Sequence, residues 1–158
     1  MTKYKSHILL IIWITALIFI GSSIGSLTKS SINSWYLTLD RSPFSPPNYL
    51  FGIAWTILYS MIATSGWLIW RSGPFSKLKL IKMLYTIQLL LNWSWTPLFF
   101  TYHLTGSALV CLLLIVTFVA SLIILSYKKL YSVSLLLIPY LLWSLFAAYL
   151  NFYIWLYN

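Results

Sequence analysis

Acidic residues are almost absent from this chain: Asp40 is the only one in 158 residues, against ten lysines and arginines. Paired-carboxylate acid–base catalysis has no second partner, and a carboxylate-bound metal site has too few ligands. Hydrolase and ion-pump readings lose their usual parts. Cysteine is equally scarce, since Cys111 stands alone and admits no disulfide within the chain. It reads as a small apolar packing residue. The two histidines, His7 and His103, fall at opposite faces of the topology set out below, so no zinc-ligand spacing exists. No glycine-rich phosphate loop occurs either. Charge of both signs makes up only 7% of residues, where soluble domains carry about a quarter. A water-soluble fold is not expected.

What the chain has instead is apolar and aromatic surface, 61% and 19% of residues. About 20 consecutive apolar residues cross roughly 30 Å of hydrocarbon as a helix, and five such runs occur, near 7–27, 48–70, 80–101, 105–126 and 134–156. The expected fold is all-α, a polytopic membrane protein of five transmembrane helices forming one domain over 1–158. The first run follows Lys3 and Lys5 and ends in "GSSIGS", a pattern shared with cleaved signal peptides, but it is long enough to span.

Basic residues set the orientation. Lys3, Lys5, Arg71, Lys77, Lys79, Lys82, Lys128 and Lys129 fall on one side of a five-span topology, and only Lys29 and Arg41 on the other. Positively charged loops stay cytoplasmic, so the amino terminus is expected inside and the carboxyl terminus outside. The net charge of +9 then reflects topology and contact with anionic headgroups, and no basic stretch is long or aromatic-interleaved enough for nucleic acid.

Polar and aromatic residues within the runs form stripes. Tyr85, Gln88, Asn92, Trp95 and Phe99 share one face of the third helix, Trp143, Ala147 and Asn151 one face of the fifth, and Trp55 and Tyr59 one face of the second. Counted from the outer surface, Trp55 lies about 10 Å deep, Asn92 about 12 Å, Ala147 about 13 Å and Trp143 about 20 Å. The stripes therefore converge on an aromatic, amide-lined space in the outer half of the bundle. The residues alone leave a second reading open, in which the amides join helices at about 0.5–2 kcal/mol each and line no pocket. Trp13, Trp67, Trp70, Trp155 and Tyr157 read as interfacial anchors. Gly52, Thr56, Ser60, Ala63 and Gly66 form a small-residue stripe expected to permit close packing.

The connection 28–47 is long for a helix connection, and its "SPFSPP" is too rigid to belong to either flanking helix. It is expected outside, as a lid over the space below.

The pieces "WYLTLDRSPFSPP" leading to "FGIAWTILYS", then "LYTIQLLLNWSWTPLFF", then "IPYLLWSLFAAYLN" resemble, in order and spacing, the translocator protein or tryptophan-rich sensory protein (TspO/MBR) family over nearly the whole chain. The resemblance implies a five-helix membrane protein, commonly a homodimer. It implies binding of porphyrins and other tetrapyrroles, sterols in some members, and synthetic aromatic ligands in a pocket beneath the first loop. Carried over by position, that pocket includes Tyr36, Trp55, Tyr59, Asn92, Trp95, Trp143 and Ala147. Three positions depart from the family pattern. Cys111 stands where many members carry an acid, Phe44 where many have tryptophan, and no Lys or Arg follows Tyr157, so sterol is not expected. The topology suggests a bacterial inner membrane rather than a mitochondrion.

Two functional classes follow. One is a receptor, sensor or carrier holding a protoporphyrin- or haem-like ligand between Trp55, Trp95 and Trp143, with ligand carboxylates at Lys29 or Arg41, and with no metal or covalently bound cofactor. The other is enzyme-like, a light- and oxygen-dependent porphyrin degradation involving Trp55 and Trp143. Without a general acid, base or metal, that chemistry would draw on the ligand's own photochemistry.

Overall fold

The computed structural model describes residues 3–158, with side chains from His7 onward. All of its regular structure is helical: α1 (Lys3–Ser26), the short α2 (Lys29–Asn33) and α3 (Trp35–Thr38), α4 (Asn48–Arg71), α5 (Leu78–Thr96), α6 (Thr105–Ser126) and α7 (Tyr131–Tyr157). A π-helical turn, Pro97–Thr101, continues α5. The chain is an all-helical, multi-pass membrane protein. Four stretches among the described residues, His7–Ser26, α4, α6 and α7, are long and apolar enough to cross a membrane. The fifth long helix, α5, does not reach that apolarity, because Lys79, Lys82, Gln88 and Asn92 interrupt it.

The helix boundaries follow local chemistry. Pro47, at φ −56°, leads directly into Asn48, and the hydroxyl and backbone of Ser42 accept hydrogen bonds from the amides of Phe44 and Ser45 in the turn before it. At the far end, Ser72 is extended and "GP" follows, which stops α4 at Arg71. Pro97 has no N–H, so regular α-helix gives way there to the wider turn, which the Tyr102 N–H closes on Pro97 O at 3.0 Å. Pro139 lies inside α7 on an exposed face, and Ser144 Oγ donates to Tyr140 O at 2.8 Å within the next turn.

The five long helices form a ring. α1 packs on α4, α4 on α7, α7 on α6, α6 on α5, and α5 closes the ring against α1 and α4. Two glycines permit the closest approaches. A Cβ at Gly21 of α1 would meet the ring of Tyr59, and one at Gly66 of α4 would meet the hydroxyl of Tyr85. Tyr85 is buried and donates to Ile62 O at 2.8 Å, which joins α5 to α4. The small-residue stripe of α4 packs only over this half. Ala63 and Gly66 are buried, but Gly52 and Thr56 are exposed, and a Cβ at Gly52 would touch nothing. Thr56 and Ser60 instead donate to Gly52 O and Thr56 O of their own helix, so these hydroxyls face outward without needing a partner helix.

Candidate ligand-binding site

At the centre of the bundle lies a hydrogen-bonded chain of three side chains from three helices. Tyr59 of α4 donates its hydroxyl to Asn92 Oδ1 at 2.6 Å, and Asn92 Nδ2 of α5 donates to the Tyr140 hydroxyl of α7 at 2.9 Å. All three are buried, Tyr140 completely. Both ends of the Asn92 amide are therefore engaged between helices. One turn along α5, Gln88 is fully buried, and neither end of its amide has a hydrogen-bond partner.

The tryptophans surround this chain but do not stack on one another. Trp55 packs against Tyr59 at 5.6 Å and Tyr140 at 6.5 Å. Trp95 stacks on Phe99 at 5.5 Å and donates its indole N–H to Asn151 Oδ1 at 3.2 Å. Asn151 in turn donates to Thr105 O at 2.8 Å, joining α5, α6 and α7. Trp143 meets Phe51 edge-on at 6.0 Å and Phe146 at 5.9 Å. Its indole N–H is buried and has no hydrogen-bond partner. Ala147, one turn on, is buried against the same core. Cys111 of α6 donates its thiol to Leu91 O of α5 at 3.3 Å, a helix-joining contact.

Tyr36 enters from α3. It is buried among Phe99, Ala108 and Ile154, with Phe100 edge-on at 5.6 Å, and shares Phe99 and Phe100 as ring neighbours with Trp95. The Arg41 guanidinium lies 5.2 Å from its ring centroid. Burial raises the Tyr36 phenol above its ordinary value, and the Arg41 charge opposes that shift.

The 28–47 connection is fixed at both ends of its span. Trp35 stacks on His103 at 3.9 Å, and Ser31 shares a 3.3 Å hydrogen bond with the same imidazole. On α7, the Tyr149 hydroxyl meets Ser42 Oγ at 3.0 Å, and the Asn158 amide accepts from Asp40 N at 2.9 Å while donating to Asp40 O at 3.2 Å. Between these anchors an open cleft of about 440 Å³ lies along the proline-rich segment, with Arg41, Ser42 and Ser45 in its wall. Lys29 is on α2, outside that wall.

The TspO/MBR family model matches residues 12–156. The chain belongs to the TspO/MBR family. Among its relatives, the tryptophan-rich protein TspO of Archaeoglobus fulgidus is 37% identical over 145 residues, covering 92% of this chain and 94% of its own. The translocator protein of Bos taurus is 35% identical over 151 residues, covering 90% and 89%. The TspO of Chlorobaculum tepidum is 32% identical over 134 residues, covering 84% and 85%.

The TspO/MBR match takes in all seven candidate residues. The structure brings Trp55, Tyr59 and Asn92 together around Tyr140, sets Trp143 and Ala147 on the next turns of α7, and joins Trp95 to Asn151. Tyr140 itself is not among the seven. Its signal was present, since Tyr140, Trp143, Ala147 and Asn151 recur at helical spacing, but tyrosine in a membrane helix reads first as an interfacial residue. Among the described residues no group of three His, Cys, Asp or Glu side chains is placed to hold a metal.

Proposed function

We propose that this TspO/MBR protein binds a tetrapyrrole, or a flat aromatic ligand like it, among Trp55, Trp95 and Trp143, and acts as its receptor, sensor or carrier. One observation carries the reading: the buried Trp143 indole N–H has no partner, one turn from a Tyr140 hydroxyl already tied to Asn92. Leaving a buried donor unpaired costs about 1–3 kcal/mol, which a ligand acceptor placed there would recover. The Trp55 ring and the Trp95–Phe99 pair offer flat faces for the conjugated system. Ligand carboxylates would meet Arg41 at the loop, whose guanidinium suits a bidentate partner. Tyr59 and Tyr140 pack against the Trp55 ring, so a ligand that stacks on it displaces them. Transport is supported by the name of the bovine relative, a translocator protein.

In this reading α5 is also a span. Its 19 residues and the five of the π turn together measure roughly 35 Å, against about 30 Å of hydrocarbon, and its amides point into the bundle. Five spans put the basic end in the cytoplasm and the 28–47 connection outside a bacterial inner membrane, with the protein working as a homodimer.

The test is a tryptophan-fluorescence titration of the purified protein with protoporphyrin IX, repeated in light and in darkness. Saturable quenching is expected in both, and its absence refutes the reading. A light-driven degradation has one observation in its favour, the oxidisable Trp55–Tyr59 pair at 5.6 Å, and would add a new absorbing product in light alone. Flux measured in proteoliposomes separates carrier from receptor.

A further inference from the structure

Gln88 is the sole glutamine in the sequence, and its amide is fully buried with neither the carbonyl nor the N–H groups bonded to any other part of the protein. It lies on the inward face of α5. Tyr85, three residues before it, and Asn92, four residues after it, are buried on the same face, about 4.5 Å and about 6 Å away along the helix axis. Both are already engaged. Tyr85 spends its proton on Ile62 O of α4, while Asn92 has one end of its amide on Tyr59 and the other on Tyr140. The fully buried Tyr140 of α7 faces this stretch of α5, since its hydroxyl is 2.9 Å from Asn92 and its phenol is also within electrostatic reach of Tyr85. Tyr140 therefore stands beside the turn that carries Gln88. A hydroxyl offers one donor and two acceptor positions, and Asn92 takes a single acceptor position, so the Tyr140 hydroxyl has capacity left.

We propose that Gln88 and Tyr140 hold an internal water molecule between them, which extends the Tyr59–Asn92–Tyr140 chain to a fourth side chain. A partner for both ends of the Gln88 amide has to donate to its carbonyl and accept from its N–H groups, and water does both. The spacing suits one molecule. Two hydrogen bonds of about 2.8 Å laid end to end cover about 5.6 Å, close to the rise of about 6 Å between Gln88 and Asn92, whose amide fixes the height of the Tyr140 hydroxyl. Folded proteins hold about one buried water per 27 residues, placed at polar groups that lack other partners, and ordered water serves the same purpose inside membranes. The water also gives the glutamine a structural role. An amide buried alone weakens the bundle, whereas one bonded through water to Tyr140 ties α5 to α7. The site is independent of what binds near Trp143.

The experiment is nuclear magnetic resonance of the full chain in deuterated detergent micelles, with glutamine alone isotope-labelled at its side-chain nitrogen. One glutamine gives one pair of N–H signals. A nuclear Overhauser effect from water to this pair is expected, with the sign of a long-lived bound molecule, and rotating-frame spectra separate it from proton exchange. Its absence shows a dry amide and overturns the proposal. Tyr140→Phe removes the hydroxyl and is expected to lose the effect, whereas Tyr36→Phe, which deletes a buried hydroxyl in the other core cluster, is expected to keep it. Loss in both variants alike, or in neither, overturns the bridge. Should Tyr140→Phe fail to fold, the parent decides with tyrosine labelled as well. The same water is then expected to reach the Tyr140 ring protons beside the hydroxyl, and no transfer there overturns the bridge.

Discussion

Replacing Asn92 with leucine removes both hydrogen bonds of the central chain at once, the 2.6 Å bond from Tyr59 and the 2.9 Å bond to Tyr140. Leucine has the same number of side-chain heavy atoms, branched at the same carbon and somewhat bulkier, so no cavity contributes. Interhelical hydrogen bonds in membrane bundles average about 0.6 kcal/mol and reach about 1.7, which gives about 1 to 3.5 kcal/mol for the pair. Tyr59→Phe removes one of the two bonds, about 0.6 to 1.7 kcal/mol. Because the variants share a bond, Asn92→Leu combined with Tyr59→Phe should cost less than their sum by that same amount. Unfolding of the four proteins in mixed micelles, followed by circular dichroism, measures the cycle. Additive losses, or an Asn92→Leu stability within about 0.3 kcal/mol of the parent, would show that these bonds do not hold the helices. The folded fraction of Asn92→Leu also tests the ligand reading. Porphyrin affinity should fall by about 1–3 kcal/mol if the amide turns to meet a ligand. Normal binding would leave Asn92 a link between helices and nothing more.

Four other outcomes follow from the packing. Gly66→Ala places a methyl group against the Tyr85 hydroxyl and should lower stability by about 1–3 kcal/mol as the bond to Ile62 O is lost, read as a drop in the thermal midpoint. Trp143→Phe deletes an unpartnered donor, so stability should hold or rise slightly while porphyrin affinity falls by about 0.5–1.5 kcal/mol, non-additively with Trp55→Phe; unchanged affinity in fluorescence titrations would mean these rings only pack the bundle. Tyr36 has a folded pKa raised above its ordinary 10.0, so the folded state holds the proton more tightly and the phenol's contribution is complete below pH 10 and lost as pH rises past it. The unfolding midpoints of parent and Tyr36→Phe should therefore converge above pH 10, and Arg41→Gln, which removes the opposing charge, should move that loss to higher pH. Reporter fusions at the two termini should be active in different compartments, and activity in the same one would exclude an odd number of spans.

Much of the helical frame is legible in the sequence, because apolar runs and proline breaks are strong local signals. The run at 105–126 coincides with α6, and α4 begins at Asn48, where the prolines end. The face of α5 from Tyr85 to Asn92 is buried as its spacing implies. Other features depend on contacts that no local pattern encodes. The helices α2 and α3 have five and four residues and no side-chain caps, so they exist through Trp35 on His103 and Tyr36 on Phe99. The π turn after Thr96 requires the missing N–H of Pro97 together with a closing bond from Tyr102. Within the site, the residue types and depths are readable, but pairing is not. Spacing puts Trp55, Trp95 and Trp143 on inward faces, yet only tertiary packing decides that each pairs with Tyr or Phe and that Asn151 accepts from Trp95.

The order of helices around the ring bears on how the chain is made. α4 and α5 are consecutive in sequence, yet α4 packs chiefly on α1 and α7, and α7 leaves the ribosome after the other four long helices. Until it arrives, Tyr59 and Asn92 can pair with each other, but Asn92 Nδ2 has no Tyr140 and Trp95 has no Asn151. Polar groups in hydrocarbon without partners are costly, so the nascent protein passes through a stage in which its amides face lipid or an insertion factor. A chain halted before α7 exposes those groups permanently, which makes the arrival of α7 the step that commits these five helices to their folded state or to proteolysis.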